Sequence, residues 1–316
     1  LATNLFQQIR KALTTLNPTE VREIAHRPAR IVLHATTEQA FLEMERFFVP
    51  PDLSERRRAA VLGSLFRAGN PQAPVGPEVE IFEQGLMPSE RGFPFYSYDP
   101  RDTVLEILDA RPELDLALAR NFAPFREPVV DRLIHKISSE NGWFSVMTAL
   151  PNMVPSAIMI PWAVGEFASD TAIITANQIR LLFLIAAASG AAVGYQEQKS
   201  QIASVIAAAF GWRAIARQAV GKIPMGGGIV PKAAIAYAGT WVVGRSFERF
   251  HRIGYGYTEI ERKRAFQQAF ERGKQVMAQF LRKQKDAPAP ASAGSATSPP
   301  EYDEEVARQV VLRAKQ

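Results

Sequence analysis

The run His34-Ala35-Thr36-Thr37-Glu38 is where chemistry would first be sought in this chain. It follows the β-branched, apolar stretch Arg30–Ala35 and leads into a helical pattern, so it occupies a strand-to-helix turn. Such turns bind nucleotide phosphates when glycines let the backbone approach and a lysine reaches the β and γ oxygens. Here there is neither glycine nor lysine, and Glu38 would repel a phosphate. Thr36 and Thr37 therefore read as helix caps. After the next strand, Glu83-Gln84-Gly85 stands where an aspartate and glycine would flank a γ-phosphate. No Asn-Lys-x-Asp guanine reader occurs.

Other reactive constellations are missing as well. His26, His34, His135 and His251 each lack a second ligand at helical metal spacing, and H-E-x-x-H is absent. Gly226-Gly227-Gly228 has no strand before it and reads as a hinge or tight hairpin turn. There is no G-x-S-x-G elbow, and Glu43 and Glu45 are ordinary helix surface. Zero cysteine removes disulfides, thiolate metal sites and cysteine nucleophiles together. The expectation is a protein that is not an enzyme and has no cofactor or metal.

The elements around these residues divide the chain. Residues 1–29 read as an N-terminal helical segment, amphipathic over 1–16 and without a signal-peptide pattern. Residues 30–152 read as an α/β unit with a mostly parallel sheet. Strands are expected at 30–35, 78–84, 93–98, 114–120 and 143–150. Helices are expected at 38–48, from Ser54 to about Ala68, from Asp99 to about Ala110, and at 124–141, the last closed by Gly142. Residues 153–285 read as an all-helical hairpin unit with Asp170 as an N-cap, followed by a disordered linker at 286–300 and a short helix at 301–316. At 316 residues, 47% hydrophobic and 22% charged, the chain is long enough for a real core and is not membrane-like on average.

Placement of charge and apolar residues points toward a membrane surface. The net charge is only +5, but the 245–285 segment is rich in arginine and lysine beside an apolar hairpin. The expected contact residues are Trp241, Val242, Val243, Arg245, Arg249, Arg262, Lys263 and Arg264, with Gly226, Gly227 and Gly228 as hinge. The helix after Asp170 is apolar on most faces, so it must be buried in a core, in partner helices or in lipid. Its polar residues Asn177, Gln178 and Arg180 then need partners.

The segment Ser169–Arg272 resembles the helical domain of unknown function found in YcjF-like inner-membrane proteins and at the C-terminal end of some bacterial Era/TrmE-type GTPases. The resemblance rests on Pro151, Pro155 and Pro161 before Asp170, on T-A-x-Q-I-R-L at Thr175–Leu181, on K-I-P-x-G-G at Lys222–Gly227, and on the aromatic and basic close near Phe247–Phe250. It covers about a third of the chain, and residues 124–155 look like the end of a GTPase-like portion before it. The resemblance implies a degenerate phosphate-loop GTPase-like fold, bacterial origin, and residence at the cytoplasmic face of the inner membrane, peripheral or partly inserted. GTP hydrolysis does not carry over, because the phosphate loop is missing.

The expectation is thus a membrane-associated scaffold or adaptor. Its partners would be an anionic membrane surface and another protein, a GTPase among the candidates, with no nucleic acid and with self-association allowed. The alternatives are an atypical nucleotide-binding enzyme and an oligomeric membrane channel or transport component.

Overall fold

The computed structural model describes residues 2–86, 89, 92–149, 169–220 and 229–286. The glycine hinge at 226–228, the Pro155 and Pro161 entry, the linker and the C-terminal helix lie outside these residues. Two short helices come first, α1 (Ala2–Leu13) and α2 (Pro18–Ala25). Then β1 (Ile31–His34), α3 (Glu38–Phe48), α4 (Glu55–Leu62), β2 (Leu65–Arg67), β3 (Val79–Glu83), β4 (Gly92–Phe95) and α5 (Pro100–Ala110) make the α/β unit. The elements that follow among the described residues are helices: α6 (Asp115–Asn121), α7 (Ala123–Met147), α8 (Asp170–Ala188), α9 (Lys199–Val220), α10 (Ile229–Ile253) and α11 (Glu259–Asp286). An α/β unit with a parallel sheet followed by an all-helical unit is therefore what the chain forms.

The sheet has four parallel strands in the order β2-β1-β3-β4. Ile31 and Leu33 of the central β1 are fully buried and Val32 nearly so, as expected for a parallel strand covered on both faces. Local chemistry sets most helix ends. Asn17, Thr37 and Asp99 each accept a hydrogen bond from a first-turn amide, and Pro18 and Pro100 follow two of these caps. At the start of α11, Thr258 and Glu261 bond reciprocally as a capping box. α8 ends where Gly190, at φ 73°, lets Ala191 N–H return to the Ala186 carbonyl.

Several local expectations are corrected. Residues 114–120 are a turn followed by α6, not a strand. The alternating leucines suggested period two, but Leu116, Ala117, Leu118 and Ala119 are all buried, and a segment buried all round carries no diagnostic period. Residues 143–147, expected as strand, continue α7. Their β-forming side chains are overruled by packing between α8, α10 and α11. Gly142 does not close the helix; a Cβ there would lie 2.9 Å from Met277 Sδ, so its role is close approach of α7 and α11. The helix from Ser54 stops at Leu62 and the chain enters β2, whose pairing with β1 the local sequence does not announce. Residues 68–78 join β2 to β3 without a helix, so strands and helices do not strictly alternate. Asp170 is the first helical residue rather than the cap, and its carboxylate accepts from Thr148 Oγ1 and Lys232 Nζ, both at 2.9 Å.

The main core runs without interruption from the sheet through α6 and α7 into α8 and α10. α10 packs most extensively on α7 and α11, while α1, α2, α6, α7, α9 and α10 surround α8. The polar residues of α8 find partners there. Asn177 donates to Asn141 at 2.9 Å, Asn141 and Gln178 donate to Thr240 at 2.8 and 3.2 Å, and Arg180 pairs with Glu140 at 3.5 Å. Among the described residues, α8 is the one helix long and apolar enough to cross a membrane, and 78% of its apolar window is already buried against protein.

Candidate functional site

In a parallel sheet ligands bind beyond the carboxyl ends of the strands, where neighbouring connections diverge. Here that place lies between the ends of β1 and β3. It is occupied by the chain itself. Glu83, the last residue of β3, takes hydrogen bonds at one carboxylate oxygen from Thr36 N–H at 2.7 Å and Thr36 Oγ–H at 2.6 Å. These bonds, the hydroxyl first and the amide second, hold the Glu83 carboxyl below the usual carboxylate range. Thr37 caps α3 by accepting from Ala40 N–H. The two threonines thus divide the work: one caps, the other binds an internal anion.

The surroundings add further negative charge. A cavity of about 290 Å³ beside Glu83 is lined by Glu43, Gln84, Phe95 and Ser97, and none of the described residues on its wall is a lysine or arginine. The nearby cation, Arg67 at the end of β2, is fully engaged by Glu38 and Glu45 and lies over the Phe41 ring. His34 stacks on Phe82 at 4.2 Å and its Nε2 lies 3.2 Å from Glu80. Among the described residues, no cluster of His, Asp and Glu suited to a metal occurs.

The residues expected at a membrane are scattered by the fold. Val242 is 1% exposed and so is not presented to an outside surface, while Val243 is half-buried and packs against the main core. Trp241 is half-buried, with the Arg245 guanidinium 4.8 Å and that of Arg272 5.0 Å from its ring centre. Arg245 is anchored by Asp131 and Glu248. Arg249 pairs with Glu261 at 2.6 Å and lies over Tyr255 and Tyr257. Arg249 is the main reason the Glu261 carboxyl falls to about 2, and the Thr258 bonds add to it. Arg262, Lys263 and Arg264 do face solvent, Lys263 in an exposed pair with Glu259.

Sequence reading missed a neighbouring feature. Ile253 at the end of α10, Tyr255 on the turn and Ile260 in the first turn of α11 are 45, 58 and 73% exposed, next to exposed Arg252 and the three cations just named. The signal was present as apolar residues around and within the T-x-x-E box at Thr258–Glu261, which marks a helix start, and the first turn of a helix is open to solvent. Arg272 was also missed as a cavity residue, since only the pairing of α10 with α11 brings it to Trp241.

Compared with protein-family models, with curated proteins and with solved structures, the chain matches none.

Proposed function

We propose that the protein is a non-catalytic, membrane-associated scaffold or adaptor, in which a phosphate-loop-GTPase-like α/β unit has given up nucleotide chemistry. The observation that carries this reading is the Glu83 carboxylate on Thr36, at the strand ends where a phosphate would sit. An anion already bonded there, with Glu43 alongside, disfavours a second one. The resemblance of Ser169–Arg272 to YcjF-like proteins supports residence at the cytoplasmic face of a bacterial inner membrane, with a GTPase as the kind of partner expected.

Attachment to an anionic bilayer is better assigned to the α10–α11 turn than to Trp241 and Val242. Exposed Ile253, Tyr255 and Ile260 can enter the headgroup region, and Arg252, Arg262, Lys263 and Arg264 are placed to meet its charge. Each basic residue near such a surface contributes roughly 1 kcal/mol. The channel alternative draws less support, because the sides of α8 are already occupied by other helices.

Two measurements on the full chain test the proposal. Calorimetry with magnesium GTP and magnesium ATP should give no micromolar binding, and flotation with phosphatidylglycerol vesicles at low salt should carry the protein upward. Micromolar nucleotide binding would overturn the non-catalytic reading. Protein left at the bottom of the gradient would overturn the membrane reading.

A further inference from the structure

We infer that the cavity between α10 and α11, beside Trp241, is a binding site for a phosphate group. The cavity measures about 210 Å³ and is lined by Trp241 and Arg245 from α10, Tyr257 from the turn, and Gln268 and Arg272 from α11. On α11 its wall also includes Ala265 and Ala269, and these small residues leave the space that longer ones would fill.

Arg272 is the residue that asks for a ligand. Its neighbours Arg245, Arg249 and Lys274 each have a carboxylate partner, at 3.1 Å or closer. Arg272 has none among the described residues; its guanidinium lies over the face of Trp241. A guanidinium lying on an indole keeps its in-plane N–H donors free for an acceptor. The uncompensated charge is felt nearby: burial is the main cause of the depressed His135 pKa, and Arg272 lowers it further. Donors therefore reach the space from α11 and from the turn, over an aromatic floor. A tetrahedral phosphate offers acceptors in several directions at once, which a planar carboxylate does not, and arginine's fork matches it.

A free phosphate, a soluble phosphate ester and a lipid headgroup share this chemistry. The site does not depend on the state of the strand-end crevice, and it would stand even if the protein bound no membrane. The test uses the full chain, calorimetry with inorganic phosphate, and sedimentation with phosphatidylglycerol vesicles. Arg272→Gln keeps a planar group over Trp241 without the charge. Gln268→Glu, at an exposed position, supplies an internal carboxylate to Arg272 and decides the matter if Arg272→Gln fails to fold by circular dichroism. One-to-one binding of inorganic phosphate that weakens at least tenfold in the folded variants supports the site with a free ligand. No binding of inorganic phosphate, but vesicle affinity that falls at least tenfold in the same variants, assigns the site to a headgroup. Binding that survives both substitutions, or no binding of either probe, overturns the inference.

Discussion

Thr36 and Glu83 lie 47 residues apart in the sequence and are joined by two hydrogen bonds to a single carboxylate oxygen. The parallel pairing of β1 with β3 makes this possible, since His34 sits opposite Phe82 and the two strands end side by side. A turn without glycine or lysine is thereby furnished with an anion of its own. Because the bonds depress the Glu83 pKa, their stabilisation is present above the ordinary carboxylate value near 4.5 and is lost as the pH falls through the lower folded value. Glu83→Gln should therefore lower the thermal midpoint at pH 7 and remove part of the acid dependence. An unchanged midpoint at pH 7 would mean that the carboxylate does nothing for the fold.

His251 supplies a second and separable pH effect. Burial first, and then the charge of Arg126, pushes its pKa from 6.5 to about 4, and it packs edge-on against Phe247 at 4.5 Å. The unfolded chain therefore binds more protons than the folded one between these values. Stability should be full above about pH 6.5 and decline on acidification toward pH 4, by on the order of 1–2 kcal/mol after solvent screening. Urea midpoints from pH 7.5 to 5 would show the slope, and His251→Phe should flatten it. An equal slope in the variant would assign the effect elsewhere.

Gly244 sits where α10 meets α7 and α8, and a Cβ built there falls 2.7 Å from Ile134 Cγ1 and 3.0 Å from Leu181 Cδ2. Ile134 and Leu181 are themselves fully buried. Gly244→Ala should cost about 1–3 kcal/mol by overpacking, despite the better helix propensity of alanine. Chemical denaturation checks this, and a stabilised variant would show that the interface yields.

The charge of the α10–α11 turn can be reversed without touching the core. Arg262→Glu, Lys263→Glu and Arg264→Glu together should weaken binding to anionic vesicles at least tenfold, and salt should weaken the wild type likewise. The thermal midpoint should stay within a few degrees, since these side chains face solvent. Unaltered vesicle affinity would place the contact elsewhere.

Val242→Ser makes the contrasting case. With Val242 inside the core, the substitution should destabilise the fold by about 2–4 kcal/mol. Vesicle affinity of the folded fraction should not change. A loss of affinity at intact stability would restore Val242 as a contact residue.

Some of this was fixed by the sequence alone. The 34–38 turn lacks phosphate-binding residues whatever the fold, because glycine and lysine are either present or absent. Capping residues and one-sided apolar periodicity placed α3 and α5 to within a residue or two, since both act within a turn or two of chain. The apolar circumference of α8 required burial in a core, in partner helices or in lipid, with partners for its polar residues; its packing against protein was not legible there.

The tertiary structure decided what lies between distant segments. Residues 115–120 and 143–147 are helical, and they are so largely buried that little period survives in the sequence to tell helix from strand. β2 exists because β1 is there to pair with it. Through the packing of α10 on its neighbours Val242 became core, and Arg272 came to lie at Trp241 without a carboxylate partner among the described residues. Glu83 could meet Thr36 only once the sheet order placed β3 beside β1. Such contacts depend on which elements meet, and that is a property of the whole chain rather than of any window within it.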